Sequence, residues 1–274
     1  MHMRPGQTWI AALILPLIAA MAGSQTPAHE NHSVEKYNVS WSTLGTNEND
    51  SMPLGNGDLA ANVWTEQNGD VVILLAKSDA YTEMGKLVKL GRIRLHLTPV
   101  AFDASHPLTQ TFRLDRSDIE IVSGANTARI WIDANHPALH VEFHTADDSK
   151  LTASLETWRT THPSKGASAE KFGMNELGSG TYPAEFHADT VLPRSKETVT
   201  WYHFNEQSIY PTVLQQEHLQ SLLSKYPDPL MHRCFGAMMI GSGLTAVSDQ
   251  ELASVAATKE HRIDIGALTQ RPAT

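Results

Sequence analysis

Arg92-Ile93-Arg94-Leu95-His96-Leu97 alternates polar and apolar residues without a break. Successive side chains of a strand point to opposite faces, so this pattern predicts a β-strand with one dry and one wet face. The same period of two returns at Gln110-Thr111-Phe112-Arg113-Leu114, Asp118-Ile119-Glu120-Ile121, Arg129-Ile130-Trp131-Ile132-Asp133 and Leu139-His140-Val141-Glu142-Phe143. It returns again over residues 151–158. Turn signals at Pro99, Ser123-Gly124, Asn135-His136-Pro137 and Asp147-Asp148 separate the runs. Many half-buried antiparallel strands at this spacing predict an all-β fold, a large two-sheet antiparallel sandwich.

Upstream, Tyr37-Asn38-Val39-Ser40-Trp41 reads as the first strand. Ser51-Met52-Pro53-Leu54-Gly55-Asn56-Gly57-Asp58 reads as a tight loop, because Pro53 fixes φ and two glycines bracket Asn56. Residues 59–64 and 71–75 then form a hairpin across Asn68-Gly69-Asp70. Lys77-Ser78-Asp79-Ala80-Tyr81 reads as a second loop. Downstream, residues 160–196 carry Pro163, Pro183 and Pro193 with little periodicity, and an irregular stretch of that length is usually functional or unstructured. Strands resume at Thr198-Val199-Thr200-Trp201-Tyr202-His203-Phe204. One amphipathic helix is predicted over residues 212–226, where Leu219, Leu222, Leu223 and Tyr226 share a face and Pro227 ends it. Residues 235–240, 244–247 and 261–265 close the sandwich as strands.

The N-terminus reads differently. Arg4 precedes a nearly continuous apolar run over residues 10–20, and Ala20-Met21-Ala22 supplies a small-x-small cleavage pattern. Residues 1–22 are therefore expected to be a signal peptide cut near Ala22, too short to be a comfortable membrane span. The expected product is exported: periplasmic, cell-surface or secreted, with no membrane association after cleavage. Residues 23–36 read as a disordered leader, 37–268 as the β domain and 269–274 as the start of a linker. The net charge of −9 becomes −10 once the segment carrying Arg4 is removed. An acidic exported domain is a poor partner for nucleic acid, whereas a neutral carbohydrate fits. The one cysteine, Cys234, can form no intrachain disulfide, and its apolar setting suggests an inert thiol.

Several residues could carry chemistry, each beside a plainer role. His140, Glu142 and His144 share one strand face and could bind zinc. A solvated outer face explains them more simply. Trp201-Tyr202-His203-Phe204-Asn205 is rich in aromatics that could stack on sugars. Core packing outweighs ligand contact for Trp201, and Asn205 at the strand end is the better candidate. Asp58, Asp79 and Glu83 could pair as acid and base of a glycosidase, although turn capping is the better explanation for Asp58 or Asp79. There is no phosphate-binding glycine loop, no Gly-x-Ser-x-Gly and no His-Glu-x-x-His. No metal or cofactor is expected.

A family resemblance rests on motifs spread over most of the chain. They are Tyr37-Asn38-Val39-Ser40-Trp41, Pro53-Leu54-Gly55-Asn56-Gly57-Asp58, Lys77-Ser78-Asp79-Ala80 and Leu90-Gly91-Arg92. Trp131-Ile132-Asp133-Ala134-Asn135-His136-Pro137, Trp201-Tyr202-His203, Asp228-Pro229-Leu230 and Phe235-Gly236-Ala237 continue the series. Together they resemble the bacterial domain of unknown function 5703, related to the N-terminal sandwich of six-hairpin glycoside hydrolases such as the family 95 α-fucosidases. The resemblance implies a supersandwich packed against an (α/α)6 catalytic barrel that holds the catalytic carboxylates. One helix cannot build such a barrel, so no catalytic residue is carried over.

The leading expectation is therefore the non-catalytic front part of an exported glycoside hydrolase acting on plant or host-type polysaccharide or oligosaccharide. Its substrate- or barrel-facing candidates are Asn56, Asp58, Lys77, Asp79, Trp201, His203 and Asn205. The loops around Asn56, Asp79 and Asn205 should lie at one end of the sandwich, beside an apolar patch left for the barrel. The alternatives are an autonomous carbohydrate-binding module and a metal-dependent hydrolase using His140, Glu142 and His144.

Overall fold

The computed structural model describes residues 33–160 and 187–271. The expected signal peptide and most of the leader lie outside the described residues, as does most of the irregular stretch. Fifteen strands follow in order, beginning with β1 (Val39–Trp41), β2 (Met52–Gly55), β3 (Leu59–Thr65), β4 (Val71–Tyr81) and β5 (Leu87–Thr98). Then come β6 (Leu108–Arg113), β7 (Asp118–Ser123), β8 (Asn126–Ile132), β9 (Ala138–Glu156) and β10 (Thr190–Val191). The last are β11 (Thr198–Phe204), β12 (Cys234–Gly241), β13 (Leu244–Ala246), β14 (Glu251–Ser254) and β15 (Thr258–Gln270). One α-helix, α1 (Tyr210–Gln216), lies between β11 and β12.

All strand pairs are antiparallel, and two sheets share one strand. The first sheet runs β1-β6-β7-β8-β9-β15-β12-β11-β10. The second runs β2-β3-β4-β5-β9-β14-β13. The front half of β9 pairs β8 and β15, and its back half pairs β5 and β14. Asp147-Asp148 was expected to be a turn between two strands. Instead it sits within one strand, at the exposed bend where β9 passes from sheet to sheet. Thr145 Oγ1 bonds the Asp147 carbonyl and the Ser149 hydroxyl there, so local side chains hold the bend without reversing the chain.

The inner faces build one continuous core. Leu59, Ile73, Ile93 and Leu95 from the second sheet meet Ile119, Ile130, Val141, Trp201, Phe235 and Ile265 from the first. This is the two-layer packing that the alternation demanded. A smaller cluster of Trp64, Val72 and Leu74 lies apart from that core, with Trp158 packed on it.

The local expectations were less secure. Met52–Gly55 is strand β2 rather than loop; it pairs only with β3, and such an edge tolerates Pro53. The tight turn shrinks to residues 56–58, with Gly57 at φ 92°. Lys77 to Tyr81 continues β4, because Lys77 pairs Leu59 and Tyr81 pairs Leu87. The leader is partly ordered, with a 3-10 turn at Val34–Tyr37. Thr269 and Gln270 pair with Phe235 and Cys234, so they belong to β15 and not to a linker.

The predicted long helix is broken. α1 ends at Gln216, His218 takes φ 56°, and only a 3-10 turn at Gln220–Leu222 follows. The apolar stripe drawn from residues 212–226 does not enter the core: Leu219, Leu223 and Tyr226 are all exposed. Most helical stability in proteins comes from packing such a stripe, so nothing here sustains the longer helix.

Candidate functional site

Five segments converge at one end of the sandwich: the β2–β3 turn, the end of β4, the 133–137 turn, the end of β11 and the end of β15. Asn56 ties the two sheets together there. Its Nδ2 donates to the carbonyls of Asp133 (2.8 Å) and His136 (3.1 Å), on the turn entering β9. Its Oδ1 accepts from the backbone N–H groups of Asp58 (2.9 Å) and Leu59 (2.8 Å), closing its own turn. All of its amide capacity on the described residues is structural, which reassigns Asn56 from a ligand contact to an inter-sheet tie.

Lys77 is the centre of a short charged row. Its Nζ donates to Asp58 Oδ1 (2.5 Å) and Asp79 Oδ1 (2.9 Å), and its side chain is 7% exposed against 44% and 43% for the two carboxylates. Burial alone would lower the lysine's pKa, but the bonds to Asp58 and Asp79 outweigh it and hold the value above the ordinary one. Asp79 also accepts from Thr269 Oγ1 at 2.7 Å on β15, and its carbonyl accepts from Arg233. Among the described residues of the expected set, the side chains of Asp58 and Asp79 are the ones that remain substantially exposed.

The other three expected residues point inward. Trp201 is 1% exposed, and its Nε1 donates to the Leu90 carbonyl at 2.8 Å. Leu90 is the extra residue of a β-bulge, since Leu75 pairs Gly91 while Ala76 pairs Lys89. The indole thus satisfies a carbonyl that has no opposite residue on β4. Gly91 stands beside it because a Cβ there would lie 3.2 Å from Trp201 Nε1. Asn205 is fully buried; its Nδ2 donates to the carbonyls of Tyr81 and Leu230, both at 3.0 Å. Asn205 therefore fastens β11 to the end of β4. Trp201, His203 and Asn205 are not substrate-facing side chains.

His203 belongs to a buried ionic chain that the sequence did not reveal as a unit. Its Nε2 lies 3.1 Å from Glu83 Oε2, and its Nδ1 lies 3.0 Å from Asp189 Oδ1. Arg159 pairs with Asp189 at two points, 2.8 and 2.7 Å, and also donates to the Lys89 carbonyl. His187 meets the other Glu83 oxygen at 2.7 Å. Burial would raise the Glu83 pKa, but the His203 bond and charge reverse this and hold it below the usual carboxylate value. Asp79 is likewise lowered against its own burial, by the Lys77 and Thr269 bonds. A glycosidase proton donor needs the opposite shift, so neither Asp79 nor Glu83 is prepared for that role.

The outer face of the first sheet carries two neighbouring depressions. One, about 590 Å³, is an apolar trough beside the Asn56–Asp79 end. Ala138, Gly236 and Gly266 form its floor, with Pro137, Met238 and Leu268 around it. Met238 and Leu268 are 44% and 56% exposed. Cys234 also borders the trough, half-buried, and burial raises its thiol pKa. The other depression, about 710 Å³, is polar and includes Arg129, Glu142, His144 and Arg262. The ionic groups around it are mutually paired across strands. His140 meets Asp264 at 2.5 Å, Glu142 meets Arg262 at 3.2 Å and His144 meets Glu260 at 3.8 Å. These are cross-strand neighbours in the β9–β15 register, which accounts for the His-x-Glu-x-His pattern as a ladder of paired polar side chains. Among the described residues no group of three or more His, Cys, Asp or Glu is placed to hold a metal ion.

Sequence reasoning expected an apolar patch beside these loops but not the residues that form it, because the floor is two glycines and an alanine on three different strands. It missed the Glu83–His203–Asp189–Arg159 chain because the four lie far apart in sequence, with no shared motif.

A search of curated proteins finds no match. Among solved structures 15 chains match. One is assigned as a kojibiose phosphorylase from human microbiome, at 10% identity and a TM-score of 0.34. That alignment covers 85% of this chain and 32% of the other, so this chain spans about a third of that protein's length. Residues 40–274 match the model of an N-terminal domain described as "Domain of unknown function (DUF5703)". With β2 through β15 and every motif from Pro53 onward inside the matched range, the chain belongs to the DUF5703 family.

Proposed function

We propose that this chain is the N-terminal, non-catalytic sandwich of an exported glycoside hydrolase, and that it supports and orients a helical (α/α)6 barrel acting on polysaccharide or oligosaccharide. The observation that carries this reading is the apolar trough, open among the described residues and adjoining the end where the two sheets are tied together. A trough floored by Ala138, Gly236 and Gly266 admits close approach of another surface, while Met238 and Leu268 offer it apolar contact. Asp58 and Asp79 stand at the same end with free acceptor capacity for a neighbouring loop or a sugar hydroxyl. The apolar run over residues 10–20 supports the exported location.

The autonomous sugar-binding reading loses its main support. Trp201 is core, and Trp131 has Arg129 4.5 Å from its ring and His140 5.0 Å away between centroids. The reading frame of the encoding DNA past Thr274 tests the proposal directly. A continuation with about a dozen amphipathic helices is the expected result. A stop codon there, with folded protein that binds immobilised glycans, would overturn it in favour of a self-standing module.

A further inference from the structure

His203 has an acceptor carboxylate on each ring nitrogen. Glu83 reaches Nε2 from the β4–β5 loop and Asp189 reaches Nδ1 from the segment entering β10, at 3.1 and 3.0 Å. All three side chains are 3% exposed or less. A neutral imidazole carries one N–H, so one nitrogen lone pair would then oppose a carboxylate oxygen with no water to intervene. Only the imidazolium donates to both. Phe235 on β12 covers the ring, stacked at 5.0 Å and 26°, and contributes no charge. One step out, Arg159 holds Asp189, His187 holds Glu83, and Glu206 lies 3.5 Å from His187. The ammonium of Lys89 is bonded to Asn62.

We infer that His203 is a resident imidazolium that acts as a proton-dependent lock, joining the β4–β5 loop and the chain on both sides of residues 161–186 to the end of β11, and that raising the pH releases this lock. Two other buried ties run beside it, from Asn205 Nδ2 to the Tyr81 carbonyl and from Arg159 to the Lys89 carbonyl, and neither depends on a titrating proton. The β4–β5 loop is held through Glu83, whose carbonyl also accepts from Ile209. The segments at Arg159 and Asp189 are held to each other by their ion pair and by the Asp189 N–H to the Arg159 carbonyl. Loss of the His203 charge leaves Glu83 and Asp189 facing one uncharged ring across 3 Å contacts. Burial disfavours the charge, but the hydrogen bonds to Asp189 and Glu83 overcome it and set the pKa above the ordinary histidine value. The folded state thus holds this proton more tightly than the unfolded one. The stabilisation is complete below the unfolded value and disappears as pH rises through the folded one.

Nitrogen-15 histidine labelling of the whole chain tests this by NMR, with the His203 signal assigned from His203→Gln. Above the ordinary histidine value of about 6.5, both His203 ring nitrogens should still be protonated. Hydrogen exchange in residues 81–86 and 199–204 should rise, beyond its intrinsic pH dependence, only as that signal titrates. Asp189→Asn, which removes one facing charge, should move the titration to lower pH. A His203 ring that loses its proton at or below the ordinary histidine value would overturn the inference, and so would an Asp189→Asn titration unchanged from the parent. Exchange that rises independently of the His203 signal would also overturn it. Should His203→Gln fail to fold, the Asp189→Asn comparison retains its force.

Discussion

Replacing Trp201 by Phe separates a core residue from a sugar platform. The indole is 1% exposed and donates one hydrogen bond, to the carbonyl of the bulged residue Leu90. Phenylalanine keeps most of the apolar burial in the core but cannot donate. Leaving a buried carbonyl unsatisfied costs about 1–3 kcal/mol. The space vacated by the smaller ring adds about 1 kcal/mol, because neighbours pinned by a bulge relax little. The expected destabilisation is thus about 2–4 kcal/mol. At about 2–4 °C per kcal/mol for a domain of this size, the melting temperature should fall by roughly 4–16 °C. Urea unfolding followed by far-UV circular dichroism should show a lower midpoint with an unchanged slope. The reasoning is refuted if Trp201→Phe unfolds at the parent's midpoint.

Three further substitutions or conditions follow from the same contacts. Asn56→Ala removes two inter-sheet bonds and two turn-closing ones at a half-buried site, and should cost about 1–3 kcal/mol; hydrogen exchange should rise in residues 133–138, and unchanged protection there would contradict the tie. Asp118→Leu leaves Arg113 and Arg129 without the buried carboxylate that both contact. Breaking such a pair from one side should cost about 3 kcal/mol, read from the denaturation midpoint. Acid should unfold the domain in a defined direction. Asp70 (by His96 and Arg94), Glu83 (by His203) and Asp118 (by Arg113 and Arg129) are held below ordinary values against the upward push of burial. Their stabilisation is present above about pH 4, where the unfolded groups are ionised, and is lost as pH falls through the lowered folded values. A midpoint flat from pH 6 down to about pH 2 would contradict this.

Most of the fold was legible because a half-buried strand leaves a period of two that nothing else imitates. Arg92 to Leu97 lies within β5, and Val141, Phe143, Leu151, Ala153 and Leu155 all point inward along β9. Strand ends were less legible, because pairing partners rather than side-chain pattern decide them. Pro53 and Lys77 looked like loop residues yet sit in strands, the first on an edge and the second against Leu59. β14 escaped notice because Glu251-Leu252-Ala253-Ser254 is too short to show a period. The helix over residues 212–226 failed for a related reason: its stripe is periodic, but the fold offers it no surface. In the candidate site, the value of Asn56 as a positioned residue was visible in its Gly-Asn-Gly setting. Its partners, two carbonyls nearly eighty residues away, were not.

Two glycines floor the trough, and they differ in a way that bears on its purpose. Gly236 is imposed from within, since a Cβ there would fall 2.2 Å from the Trp201 carbonyl oxygen and 2.7 Å from Tyr202. Gly266 has no such internal reason. A Cβ built on it meets nothing within 4 Å, its φ is not positive, and it sits in mid-strand between Ala138 and Met238. Glycine in a strand interior is destabilising by about 0.5–1 kcal/mol relative to alanine. On the proposed function, close approach of the barrel to the trough floor would account for tolerating that cost. Gly266→Ala should then stabilise the isolated domain by about 0.4–1 kcal/mol, largely by restricting the unfolded chain. In any longer polypeptide carrying the proposed barrel, the same methyl group should loosen the junction and lower the melting temperature instead. Calorimetry on both forms gives the comparison. Stabilisation of equal size in both would remove Gly266 from the interface, and with it the strongest local support for a surface seated on the trough.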